Sequence, residues 1–260
     1  MENPLDMTGR VAIVTGGAKG VGRGISQSFL DAGAEVVVCG RNAPDSLPGS
    51  GGREAVFVPA DVRDAEQIDR VATQAEERFG RIDTLVNNAG GTPEVPAMEG
   101  SPRYHDSIIR LNLTSALHFA QRANRTMQKQ ETGGVIINIS SVSGVRPSPG
   151  SAAYGAAKAG LVHLSSSLAV EWAPKVRIVT LISGYVRTEQ TAMHYGSDEG
   201  LAATEASIPL GRLADPSEIG NVCLYLASPL ASFVTGGSIL AHGGGERPLF
   251  LDTASNRTKT

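Results

Sequence analysis

Within SAAYGAAKAG (151–160) a tyrosine and a lysine stand four residues apart among small residues. On a helix, Tyr154 and Lys158 would lie one turn apart on the same face. A phenol ionises near pH ~10 and is a weak acid–base catalyst at neutrality. A neighbouring cation stabilises the phenolate and lowers that value, so the pair predicts proton exchange with an oxygen. A second stretch, VAIVTGGAKGVGRGI (11–25), carries a different chemistry. A β-branched run ends at Thr15, glycines follow at Gly16, Gly20 and Gly22, and a helical pattern begins. Gly16 permits a tight turn, and Gly20 and Gly22 clear the way for backbone to approach a pyrophosphate at the helix N-terminus. No GK[ST] follows, which excludes a P-loop.

The acid that binds an adenosine ribose is expected about 20 residues further on, at the end of the second strand. That region reads VVVCGRN, with Gly40 at the acid's place and Arg41 after it. Lys19 adds a second cation within the glycine loop. Two cations and no carboxylate favour a 2′-phosphate, hence NADP(H), with NAD(H) as the alternative cofactor.

The elements that must position these residues alternate along the chain. Apolar runs occur at VAIVT (11–15), EVVVC (35–39), AVFV (55–58), TLVN (84–87), VIINI (135–139), RIVTLI (177–182) and SIL (238–240). Between most of them lie helical patterns, such as 25–33, 65–80 and 156–173. Continuous apolar strands alternating with helices predict a doubly wound α/β fold, a Rossmann-type parallel sheet of about seven strands with helices on both faces. The 260 residues are read as one domain, with no internal repeat. The weakly patterned stretch 184–215 is read as a substrate lid. Residues 245–260 are read as a polar tail, disordered or docked on a neighbouring subunit.

Composition narrows the function further. A formal net charge of −3 with no long charge run gives no reason to expect nucleic acid or an anionic membrane as partner. The N-terminus MENPLDMTGR lacks a signal peptide's apolar core, and no run suits a membrane span. Cys39 and Cys223 show no metal-ligand spacing and sit in apolar runs, as reduced buried thiols do. A cytoplasmic location and no metal are the expectations.

Several motifs in order, TGGAKGVG (15–22), PADV (59–62), NNAG (87–90), Asn112 in LNLT, NISS (138–141), YGAAK (154–158) and GYVRT (184–188), resemble the short single-domain branch of the short-chain dehydrogenase/reductases. The resemblance runs from about residue 8 to Gly244. It implies an enzyme moving hydride between NADP(H) and a ketone or secondary alcohol. Tyr154 would be the general acid/base, Ser141 would hold the substrate oxygen, and Lys158 would bind nicotinamide ribose hydroxyls. Asn112 would hold a water that links Lys158 to solvent. The implied proton path is substrate oxygen, Tyr154, ribose hydroxyl, Lys158, water, bulk. Ser140 is the adjacent competitor of Ser141, which only the spacing to Tyr154 prefers.

The resemblance also assigns the cofactor contacts. The loop Gly16, Ala18, Lys19, Gly20, Val21 and Gly22 would cradle the phosphates. Asp61 and Val62 would meet the adenine, Asn88, Ala89 and Gly90 the adenosine side, and Val186 and Thr188 the carboxamide. The family is commonly tetrameric, so a homo-oligomer, tetramer or dimer, is implied. A 3-oxoacyl thioester or a steroid-derived ring ketone is the implied substrate, the latter on a looser likeness. The chain departs from the family at Ser183-Gly184, where Pro-Gly is usual, at Val179, where asparagine is frequent, and at His242 in AHGGG, where aspartate is frequent. His163 and His242 are read as structural, and Arg103 and Arg146 as solvated unless they meet an acidic group or a CoA phosphate. His194 and Tyr195 lie in the expected lid. A non-catalytic dinucleotide sensor would be expected to lack Tyr154 or Lys158, and an epimerase-type enzyme would need a TGxxGxxG loop and a further domain.

Overall fold

The computed structural model describes residues 3–189, 191, 196–246 and 248. In chain order the described elements are β1 (Val11–Thr15), α1 (Gly20–Asp31), β2 (Glu35–Gly40), β3 (Gly49–Ser50), β4 (Arg53–Glu54), β5 (Val56–Pro59), α2 (Ala65–Phe79), β6 (Thr84–Asn87), α3 (Pro102–Ile109), α4 (Ser115–Met127), β7 (Gly134–Ser141), α5 (Ala152–Trp172), β8 (Val176–Ser183), α6 (Asp198–Ser207), α7 (Pro216–Ala227) and β9 (Ser238–Ala241). His194, Tyr195 and most of the tail lie outside the described residues.

Seven strands form one parallel sheet in the order β5-β2-β1-β6-β7-β8-β9. Pleating divides each strand between two cores. Val11 and Ile13 of β1 join α2, α4 and α5 on one face, packing on residues such as Ile68, Val71, Phe119 and Leu168. Ala12 and Val14 join α1 and α7 on the other, with Ile25, Phe29, Ile219 and Cys223. Phe29 and Phe119, one per face, are both 1% exposed, each burial contributing roughly 2–3 kcal/mol. Every residue of β1 is buried, which is why its sequence is a continuous apolar run and not an alternating one.

Local signals set the helix ends. Asp64 caps α2 by accepting from the backbone N–H groups of Glu66 and Gln67, and Gly80 ends it in the left-handed conformation. Asp215 and Glu218 form a capping box at α7, whose first residue is Pro216. Helix α5 is pinned to the sheet by a buried polar chain. Asn87 Nδ2 donates to Asn138 Oδ1 (2.8 Å), and Asn138 Nδ2 donates to Ser165 Oγ (2.9 Å). Thr180 Oγ1 also donates to Ser165 Oγ (2.8 Å), while Ser165 donates back to Leu161 O (2.8 Å). The chain spans β6, β7 and β8 and fixes the register of α5 against them.

One connection breaks the alternation. Between β2 and β5 there is no helix; the short antiparallel pair β3–β4 turns at Gly51 and Gly52, both at positive φ. Arg23 of α1 holds this connection by donating to Ser46 O at 2.8 Å.

Candidate active site

The strand order reverses between β1 and β6, and in such sheets ligands bind outside the carboxyl ends of the strands at that point. The two strand ends are laced together there. Thr15 Oγ1 accepts from the backbone N–H groups of Asn88 (2.9 Å) and Ala89 (2.8 Å), and Asn88 Nδ2 donates to Thr15 O (2.9 Å). The glycine loop leaves β1 at this place. Gly16 and Gly20 have φ of 66° and 51°, conformations that favour glycine. Gly22 has a different need from the one the sequence suggests. A Cβ on it would lie 2.3 Å from Gly16 O and 2.6 Å from Asn88 Nδ2. Its missing side chain lets loop, helix and the β6 end close on one another rather than clearing space for a ligand.

An oxyanion already occupies the loop's donor. The Glu189 carboxylate accepts from the Gly20 backbone N–H at 3.1 Å, at the N-terminus of α1. The loop therefore fits an anionic group, the property a dinucleotide pyrophosphate requires. Glu189→Gln is expected to tighten NADPH binding about two- to tenfold, read by fluorescence titration of the purified protein. An unchanged affinity would show that this carboxylate does not compete.

Lys19 in the glycine loop and Arg41 just after β2 are both exposed. Asp61 is already engaged: Arg63 donates to it through Nε (2.9 Å), Nη2 (2.5 Å) and its backbone N–H (2.9 Å). Its carboxyl is pushed down to about 2, chiefly by the Arg63 hydrogen bond, with the Arg41 charge as a smaller cause. Arg63 is thus a competitor for the adenine contact expected of Asp61. Val62 is buried in the core.

Ser141, Tyr154 and Lys158 come together beside β7. Ser140 and Ser141 differ: Ser140 Oγ, buried, donates to Lys158 O at 2.9 Å, whereas the Ser141 hydroxyl favours the ionised form of the Tyr154 phenol. Lys158 Nζ lies 5.6 Å from the Tyr154 ring centroid and donates to Ile139 O at 2.7 Å. Glycines permit this approach: a Cβ on Gly155 would come within 2.8 Å of Ser143 O, and one on Gly144 within 2.8 Å of Ala159 N. The turn after Ser141 and the start of α5 can therefore touch.

The electrostatics correct one expectation. Lys158 was expected to lower the Tyr154 value. Burial instead holds the phenol above its ordinary range, with the Ser141 hydrogen bond opposing it. Burial also pushes Lys158 down, from 10.5 to about 8. Low-dielectric surroundings penalise both charged forms, and spacing in a sequence carries no dielectric.

Asn112 sits in a π-helical turn, Arg110–Thr114, which joins α3 to α4. Such single turns within helices are frequent at functional positions. Its side chain is spent on structure: Nδ2 donates to Gly91 O and Ile108 O, both at 3.0 Å, and Oδ1 accepts from Gly91 N–H at 2.9 Å. A Cβ on Gly90 would stand 2.6 Å from Asn112 Oδ1 and 3.3 Å from Lys158 Nζ, so these three residues meet. Val186 pairs with Ala214, and Thr188 N–H donates to Thr191 Oγ1 at 2.7 Å, which fixes the start of the 184–215 segment. Cys39 and Cys223 are buried, and burial pushes the Cys39 thiol up to about 12 and the Cys223 thiol up as well.

The family model described as Enoyl-(Acyl carrier protein) reductase matches residues 16–246. The chain belongs to the short-chain dehydrogenase/reductase family. It is an oxidoreductase acting on CH–OH groups. Its relatives in that family include an uncharacterized oxidoreductase of Mycobacterium tuberculosis, 35% identical over 240 residues, covering 90% of this chain and 91% of the relative. The 3-oxoacyl-(acyl-carrier-protein) reductase of Vibrio cholerae is 35% identical over 246 residues, covering 92% of this chain and 98% of its own. A solved structure of a putative short-chain alcohol dehydrogenase from Sinorhizobium meliloti superposes with a TM-score of 0.85 at 35% identity, covering 93% of this chain and 98% of that one. Among the described residues no helix is long and apolar enough to cross a membrane.

The structure adds site residues that the sequence reading passed over or misjudged. Thr15 and Glu189 were not singled out, although Thr15 stands at the end of the first strand. Arg146, expected in solvent, is half-buried and ion-paired to Glu246.

Proposed function

We propose that the protein is an NADP(H)-dependent ketone reductase, reversible as an alcohol dehydrogenase, with Tyr154 as acid/base. The observation that carries this reading is the Lys158 ammonium 5.6 Å from the Tyr154 ring, beside the turn that carries Ser141 and near the reversal point of the sheet. NADPH, when bound, supplies the hydride. Residues Gly16 to Gly22 would hold its pyrophosphate, Lys19 and Arg41 its 2′-phosphate, Asp61, Val62 and Asn88 to Gly90 its adenosine side, and Val186 and Thr188 its carboxamide.

The chain's own residues do the rest. Ser141 Oγ donates to the substrate carbonyl and sets it against the Tyr154 hydroxyl. Tyr154, held as a neutral phenol by burial, gives its proton to that oxygen as charge develops there. Lys158 is mostly protonated below pH 8, and its charge stabilises the phenolate that remains. Asn112 holds the Gly91 backbone beside Lys158, and the path that returns the proton to Tyr154 passes this turn. The segment 184–215 closes the substrate side.

The substrate class is a carbonyl compound such as a 3-oxoacyl thioester or a ring ketone, and the Vibrio cholerae relative named above supports the first. A homo-oligomer in the cytoplasm completes the reading. Leu230, Phe233 and Leu240, exposed on or just before edge strand β9, support contact between copies. The test is a screen of 3-oxoacyl thioesters and ring ketones, followed at the nicotinamide absorbance with NADPH and with NADH. Turnover with NADPH at least tenfold faster is expected. Preference for NADH would overturn the assignment of Lys19 and Arg41, and turnover of none of these ketones would overturn the reductase reading.

A further inference from the structure

Three segments leave the carboxyl ends of adjacent strands on the side of Ser141. One follows β7 and carries Arg146, one follows β8 and carries Tyr185, and one follows β9 and carries Glu246. Their side chains converge. Arg146 Nη2 stands 2.5 Å from Glu246 Oε1 and donates to Tyr185 Oη at 3.0 Å, and Tyr185 Oη donates to Glu246 Oε1 at 2.5 Å. Arg146 Nη1 is spent on Pro147 O at 2.8 Å. Arg146 Nε is buried without a partner, and no other side-chain nitrogen or oxygen among the described residues is in that condition.

The edge of a guanidinium formed by Nε and Nη2 is the fork that an oxyanion grips with two oxygens. Glu246 takes one prong and leaves the other orphaned. As a structural bridge the arrangement makes little sense. Both partners are about a third exposed (33% and 34%), where an ion pair contributes little, while a buried unpaired donor is costly. As a receptor holding a temporary occupant it makes sense. Tyr185 fits the same role: burial first, and then Glu246, hold its phenol above the ordinary range, so it stays a donor to any oxyanion placed there.

We propose that Arg146, with Tyr185, receives an oxyanion carried by the substrate, and that Glu246 keeps the place until the substrate displaces it. This rests on the reductase reading of the neighbouring site. The oxyanion could be a carboxylate on a ring ketone or a phosphate of a CoA thioester. The chemistry of recognition is shared, and the experiment separates the two.

The test compares 4-oxocyclohexanecarboxylate with its methyl ester, and acetoacetyl-CoA with acetoacetyl-pantetheine. Wild-type protein is expected to prefer the charged member of one pair at least tenfold in kcat/KM, and that pair names the source. Arg146→Met should collapse this preference, and Arg146→Lys, which keeps charge but loses the fork, should leave an intermediate one. Glu246→Gln should raise it two- to fivefold, through KM. Both Arg146→Met and Glu246→Gln break the same ion pair, so a bridge that is only structural moves them in one direction. Movement in one direction, or no preference in either pair, overturns the proposal. If no ketone is turned over, the reductase reading fails on its own, and the melting midpoint decides. The charged compounds should raise it in wild type and Glu246→Gln but not in Arg146→Met, and equal shifts in all three overturn the receptor.

Discussion

Tyr154→Phe is expected to lower the rate of hydride transfer by a factor of about 10³ or more while leaving the NADPH dissociation constant within a few-fold. The substitution removes one oxygen from a ring that lies beside Lys158 and against the turn after Ser141. The ring and its packing survive, so the glycine loop and the Thr15–Asn88 lacing are untouched. What disappears is the donor to the substrate oxygen. Ser141 remains, but an aliphatic hydroxyl gives up its proton far less readily than a phenol, and its Oγ already accepts from Ser143 N–H at 3.2 Å. Single-turnover rates with NADPH, together with a fluorescence titration, separate chemistry from binding. A variant that keeps a tenth or more of wild-type turnover would remove Tyr154 from the acid/base role.

Lys158→Met is expected to abolish turnover and to make the cofactor-free protein more stable at pH 7. Lys158 is 4% exposed, and burial lowers its value from 10.5 to about 8. Below pH 8 the ammonium is charged in both folded and unfolded chains, and the folded chain carries the desolvation penalty. Between about pH 8 and 10.5 the unfolded chain still binds the proton and the folded one does not, so stability from this group rises with pH across that window. The shift corresponds to about 3 kcal/mol, an upper bound for a buried group. Methionine removes the penalty but leaves Ile139 O without its donor, a loss of about 1 kcal/mol. The net gain expected at pH 7 is about 1–2 kcal/mol. Urea midpoints at pH 7 and 9.5 check it: the gap between variant and wild type should be wider at pH 7. A variant less stable than wild type at pH 7 would mean that the buried charge is compensated.

Much of the frame was legible because burial on both faces writes itself as continuous β-branched runs, as in VAIVT and VIINI. The glycine loop and the Tyr154–Lys158 spacing were legible for the same kind of reason: few residue types satisfy the geometry. The choice of Ser141 over Ser140 rests on spacing alone in the sequence; in the structure Ser140 is turned to the helix backbone, where it donates to Lys158 O. Other features carried a signal too faint or none. Gly51-Gly52 marked a turn, but two-residue strands have no period to detect. RLNLT contains no glycine or proline that would mark the π turn at Asn112. Arg146 looked like a surface arginine, since Glu246 is 100 residues away in sequence and only the parallel strand order brings it near.

The helix missing between β2 and β5 leaves the sheet unequally hard to open along its width. Strands β7 and β8 are held by eight register pairs, with the buried Asn138–Ser165–Thr180 chain between them. Strand β5, four residues long, pairs on one side only, and Leu47 of the connection from β2 packs on the same core as the strand's own Phe57, where a helix would otherwise lie. Amide protons of β5 and of the 41–55 connection therefore exchange through a small local opening, whereas those of β7 and β8 wait for the molecule to unfold as a whole. In the proposed reading, the adenosine end of the crevice is built on the breathing edge, and the proton-transfer end on the rigid one.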